Sequence, residues 1–153
     1  MSFDREPVEA NLAATLQAMT IAAGYSLPKD LGLVTRQLLD YDETRGLRPA
    51  AILQITGTPG ELVGLGGIGQ TTMQGRVVLY FDLETNGLLP VTWANAYTKA
   101  VRDAILADRS RGANPGVLTT IVLDEPTALL WKAGLAFEAT VTFEVLVRHE
   151  GGV

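Results

Sequence analysis

Between residues 135 and 148 the chain alternates. Ala139, Val141, Phe143, Val145 and Val147 fall on one side of an extended backbone, and Glu138, Thr140, Thr142, Glu144 and Arg148 on the other, with Leu146 the one break. Period two is the mark of a strand with one apolar and one wet face. A strand this long needs partners for its backbone and cover for its apolar face. The pattern therefore predicts the structural axis of a sheet that the rest of the chain completes.

The same alternation recurs twice. Over residues 75–84, Val77, Leu79, Phe81 and Leu83 share one face, and Arg76, Tyr80, Asp82 and Glu84 the other; over 50–56, Ala51, Leu53 and Ile55 share a face. Residues 117–124 form a further strand candidate, 33–41 reads as a strand of mixed pattern, and 128–132 is ambiguous. Two stretches change to helical spacing. Val8, Leu12, Leu16, Met19 and Ala23 make one stripe, with Pro7 suited to a first turn and Gly24 to a left-handed cap, which predicts a helix over about residues 5–23. Trp93, Tyr97, Ala100, Val101, Ala104 and Ile105 make a second stripe, with Lys99, Arg102 and Asp103 turned away, Thr92 placed to cap it and a stop by Gly112.

Between them, residues 57–70 lose all periodicity. Glycines at 57, 60, 64, 66, 67 and 69 alternate with Leu62, Val63, Leu65 and Ile68. A glycine-rich loop that exposes apolar side chains is costly unless something covers them. Leu62, Val63, Leu65 and Ile68 are therefore the expected contacts with a partner chain. Residues 42–49 read as a hairpin or loop, and Thr85-Asn86-Gly87 as a turn. The sum is a single α+β domain over residues 1–153: a four- to five-stranded antiparallel or mixed sheet, two helices packed on one face, and a long glycine-rich hairpin loop.

Composition sharpens this. Charged residues are 19% of the 153-residue chain, against about 25% in average soluble domains, and the mean hydropathy is +0.20. Both suit either an alanine- and leucine-rich sequence or a subunit that buries surface in an assembly. A net charge of -5 with no Lys/Arg run argues against a protein that grips nucleic acid. Cysteine is absent, which removes disulfides, thiolate nucleophiles and cysteine-ligated metals, and the single His149 makes a histidine metal site or a catalytic triad hard to build. No apolar run reaches the ~18 residues of a membrane span. The mixed charges of residues 1–6 are no signal peptide, so synthesis in the cytosol is expected.

Chemistry-bearing patterns are few. Residues 64–69 match GxGxxG, but a strand, not a helix, is predicted to follow, and no acidic residue closes a second parallel strand, so a hairpin loop is favoured over a dinucleotide cradle. Asp124 and Glu125 are neighbours on a strand and point to opposite faces. Asp82 and Glu84 share a face and can pair with a cation across the sheet. His149 belongs to a charged C-terminal tail, and Trp93 and Trp131 suit packing or interface anchoring better than base stacking. No catalytic residue, cofactor or metal is expected.

The order of elements resembles the tail terminator proteins of long-tailed bacteriophages, also called minor tail or tail completion proteins. The likeness runs through the N-terminal helix, Arg48-Pro49-Ala50-Ala51-Ile52-Leu53, the loop-bearing hairpin, Arg76-Val77-Val78-Leu79-Tyr80-Phe81, the helix from Trp93 to Asp108, Ile121-Val122-Leu123-Asp124 and Val141-Thr142-Phe143-Glu144-Val145. The resemblance implies a structural, non-enzymatic virion protein of the tail and neck region. It would form a homo-oligomeric ring, typically a hexamer, on the head-proximal end of the tail tube. The ring ends tube polymerisation and joins the head. Its partners would be the tail tube protein and a head-completion or connector protein, with genomic DNA passing through the lumen unbound and no membrane involved. Two other functions stay open: a neighbouring connector, stopper or accessory assembly factor, and a small phosphate- or nucleotide-binding protein using the glycine-rich loop.

Overall fold

The structure is a computed structural model and describes residues 4–57, 62–63, 68–82, 89–123, 130–132 and 136–150. In chain order the elements are α1 (Glu6–Gln17), β1 (Leu33–Thr35), a 3-10 turn (Tyr41–Thr44), β2 (Ala50–Gly57), β3 (Leu62–Val63), β4 (Ile68–Phe81), α2 (Pro90–Ala107), β5 (Val117–Val122), β6 (Leu130–Lys132) and β7 (Ala136–Glu150). The sheet runs β1-β2-β4-β7-β5, with β3 added to β4 and β6 to β7. β1 is parallel to β2, and the other pairings are antiparallel, so the sheet is mixed. The predicted α+β class holds.

β7 is the axis that its alternation predicts. It pairs with β4 from Phe81↔Phe137 to Ile68↔Glu150 and carries β5 and β6 on its other side. Its apolar face is buried throughout: Ala139, Phe143, Val145 and Val147 are fully enclosed and Val141 nearly so. Onto that face pack Val8, Leu12 and Leu16 of α1 and the whole predicted stripe of α2, together with Ala51 and Leu53 of β2 and Met73, Val77, Leu79 and Phe81 of β4. Phe81 and Trp93 both lie against Tyr97, at ring-centroid distances of 5.3 and 5.8 Å. Trp93 is thus a packing residue. Gly75 lies opposite Phe143 in the β4–β7 pair, and a Cβ there would come within 2.5 Å of the Phe143 ring. A glycine in mid-strand makes room for an aromatic ring directly across.

Local chemistry moves several boundaries. α1 ends at Gln17 rather than near residue 23, because the next turn is organised by side chains: the Ile21 N–H donates to Asp30 Oδ1 at 2.7 Å and the Ala23 N–H to Thr20 Oγ1 at 3.2 Å. Such bonds compete with helix continuation. Gly24 has φ +93°, but it closes this later turn and not the helix. α2 starts at Pro90, two residues before Thr92. Its first turn is closed by the Leu89 carbonyl accepting the Thr92 N–H at 2.9 Å, so Thr92 is inside the helix and caps nothing. The strand expected over 33–41 shortens to Leu33–Thr35, and residues 42–49 are no hairpin, since β1 and β2 are parallel.

The opposite sheet face carries a smaller cluster. Ile52, Val78 and Tyr80 are buried there against Leu39. Tyr80 shares its strand face with Arg76 and Asp82, yet the segment between β1 and β2 covers it. Within that segment Arg48, 6% exposed, donates to Asp82 Oδ1 at 3.2 Å and to Thr44 Oγ1 at 3.1 Å. The sheet-face partner expected for Asp82 is therefore this arginine. Glu84, the turn at 85–87 and the Asp124–Glu125 pair lie outside the described residues.

Candidate assembly surfaces

Three surfaces stand out among the described residues. The first is a ribbon. β2 ends its pairing with β4 at Gly57↔Gln74, after a register shift, yet β4 and β7 continue together to Ile68↔Glu150. Beyond β2, β3 takes its place, with Leu62 opposite Gln70 and Val63 opposite Gly69. Three of the four apolar residues singled out in the glycine-rich stretch, Leu62, Val63 and Ile68, therefore meet at one end of the sheet in β-structure; Leu65 lies outside the described residues. Ile68 and Gly69, the last two positions of the GxGxxG run, lie in β4 and open no helix. A pyrophosphate cradle needs the N–H groups of a helix N-terminus at that place. His149 was expected in a tail; it lies in β7 opposite Gly69.

The second surface is the sheet face away from the helices. Past the Ile52–Val78–Tyr80 cluster it is open and polar. Gln54, Arg76 and Thr142 form one row across it, with Arg76 Nε donating to Gln54 Oε1 at 2.8 Å. The next row pairs Gln74 with Glu144 at 3.4 Å and ends on Ile121 of β5. Thr72, Leu146 and Thr119 follow. Arg76 and Glu144 are the charges in these rows, so among the described residues they present no block of positive charge of the kind that phosphate binding needs.

The third is a cleft of about 590 Å³ between α2 and the turn after α1. It is lined by Tyr25, Ser26, Asn95, Lys99 and Asp103, among others. Lys99 and Asp103 face each other at 3.3 Å across one helical turn and are largely exposed. They neutralise each other. Among the described residues no three His, Asp or Glu side chains are grouped to hold a metal, and no helix is long and apolar enough to cross a membrane.

One polar cluster escapes sequence inspection. At the end of α2 the Arg111 side chain, 2% exposed, donates through Nη2 to the carbonyls of Ile105 and Asp108. Asp108 accepts from the Gly112 N–H at 2.7 Å, from Ser110 Oγ at 3.0 Å and from Asn11 of α1 at 3.4 Å. Burial works against its charge, but the Gly112 N–H, the Ser110 hydroxyl and Arg111 outweigh it and hold the carboxyl below its usual range. Burial lowers the Arg111 pKa, and the Asp108 charge opposes that. This cluster fastens the two helices together through the Asn11–Asp108 bond.

No family model matches the sequence, and no curated protein does. A solved structure does share the fold. A chain of the virion of a native gene transfer agent particle superposes with a TM-score of 0.59 over 92% of this chain and 94% of that one, at 13% identity. At that identity the likeness is one of fold.

Proposed function

We propose that this chain is a structural virion protein that works through its surfaces. It forms a ring on the head-proximal end of a phage-type tail tube, ends tube growth and offers the face on which the head docks. The observation that carries the proposal is the end-to-end fold likeness to a chain of a gene transfer agent virion. It is supported by low charge, by an apolar glycine-rich stretch at the end of the β3–β4–β7 ribbon, and by a polar sheet face without a basic patch. A lumen that DNA traverses should not hold it, which favours such a face. Leu62, Val63, Leu65 and Ile68 are the proposed contacts with the next copy or the tube.

The test is localisation in the particle. Epitope-labelled chain should map to the junction of head and tail, and particles made without it should accumulate as filled heads and separate tails of uncontrolled length. Label at the head-side connector, with tails of normal length, would assign the chain to a head-completion or stopper role instead. Label nowhere in the particle would end the virion proposal.

A further inference from the structure

The two sides of the sheet are both unfinished, and they are unfinished in complementary places. On one side β1 covers only Ala50–Ile52 of β2, so on that side residues 53–57 have no strand partner among the described residues. On the other side β5 is the last strand of the path. Register places these two edges at the same level, since Val122 of β5 lies opposite Phe143, Phe143 opposite Gly75, and Gly75 opposite Ile55 of β2. The covered half of β2 is at the level of Tyr80 and Glu138, away from β5.

Among the described residues neither edge is covered by another strand. Residues 117–123 read Val-Leu-Thr-Thr-Ile-Val-Leu and residues 53–57 Leu-Gln-Ile-Thr-Gly, without a charge or a proline. Leu118 is 48% exposed and Ile121 36%. Edge strands of a free-standing sheet are normally blunted by charge, proline or brevity, because an open edge recruits other strands. β1 is blunted by brevity; the described residues of β5 and of the far half of β2 carry none of these devices.

We propose that β5 of one copy pairs with the open 53–57 stretch of β2 in a second copy. The sheets then join edge to edge around a closed ring. This deepens the ring proposed above and rests on it. Strand polarity agrees. Directions alternate from β2 through β4 and β7 to β5, so β5 runs opposite to β2, and a rotation about an axis along the strands brings them together antiparallel. Each copy has one edge of each kind, which makes the contact head-to-tail; such contacts repeat until the rotation closes, and closure removes every open edge. A β5–β5 dimer would stop at two copies and leave β2 unpaired.

Because the chain has no cysteine, introduced thiols report the contact cleanly. β5 and β2 are three strand spacings apart within one chain, about 14 Å, beyond the roughly 7 Å limit for a disulfide. Any bond between them is therefore intermolecular. The double variants Gln54→Cys with Ile121→Cys and Thr56→Cys with Ile121→Cys should be oxidised in the full chain, in solution and in assembled particles. A ladder of covalent multimers ending at one size is expected from at least one pair. Ile121→Lys should abolish the multimer in sedimentation while leaving the circular dichroism spectrum unchanged. Monomer alone from both pairs, or a dimer as strong from Ile121→Cys by itself, overturns edge pairing. If the chain is multimeric in particles yet gives no ladder, edge pairing falls and the virion role stands. If a ladder forms but the chain is absent from particles, the virion role falls instead.

Discussion

Ala113 has a backbone φ of 56° and follows Arg111 at 53° and Gly112 at 75°, three left-handed residues in a row after α2. Two of them carry a Cβ, which that conformation disfavours by about 1–2 kcal/mol per residue. Arg111 is held there by its own bonds to the end of α2, whereas Ala113 is held through its N–H, which donates to Ser110 Oγ at 3.0 Å. Ala113→Gly keeps that bond and removes the strain. It should raise stability by about 1 kcal/mol, read as a higher urea midpoint at constant slope. Gly75 is the opposite case. Gly75→Ala drives a methyl into the Phe143 ring and should cost about 1–3 kcal/mol. Phe143→Leu in the same chain should recover part of that loss, and a double-mutant cycle measures the coupling. No spacing rule flags Gly75 as a packing site, because the ring it accommodates is 68 residues away in sequence and adjacent only through the β4–β7 register.

Among the elements, the assembly role proposed for the stretch beside β3 and β4 can be tested apart from folding. The helix-facing core is built from α1, α2 and the sheet interior, whereas Leu62, Leu65 and Ile68 are the proposed assembly contacts. Leu62→Ser, Leu65→Ser and Ile68→Ser together should therefore leave the melting temperature within a few degrees of the parent. Light scattering should then show that the variant no longer joins tail-tube protein. A variant that still assembles would remove the glycine-rich stretch from the interface. The apolar residues of this stretch were legible in the sequence, but their strand partners were not. Residues 68–74 carry no alternation of their own and are extended because β7 lies alongside them.

At the scale of the whole molecule, two buried tyrosines tie the layers together. Tyr97 on α2 donates its hydroxyl proton to the Lys29 carbonyl, and Tyr80 is enclosed on the far sheet face by the segment bearing Leu39. Burial pushes each phenol up to about 12; beside it, the Lys29 N–H, which donates to the Tyr97 oxygen at 3.1 Å, works the other way, and the Glu138 charge adds to the rise at Tyr80. A raised acid favours the protonated, folded form. The stability involved is fully present below pH ~10, the unfolded value, and is lost as pH rises toward 12. Alkaline unfolding should begin above pH 10, with phenolate absorbance and loss of secondary structure rising together. Tyr97→Phe and Tyr80→Phe should each weaken that dependence. Asp108 acts at the other end: its carboxyl is held low, so its contribution is present above its ordinary value of 3.8 and is lost as pH falls.

The sequence by itself determined which faces are buried. Alternation in β7, β4 and β2 and the stripes of α1 and α2 mark the core directly, because side-chain direction within one element follows from its own period. Only the tertiary structure decided which strands are neighbours and in what direction. That β1 is parallel to β2, that β4 extends back to Ile68, that His149 is in a strand, that Tyr80 is covered and that Arg111 is buried all depend on residues far off in the chain. Backbone hydrogen bonds and burial are satisfied by whatever lies across the gap, and no local pattern names that partner.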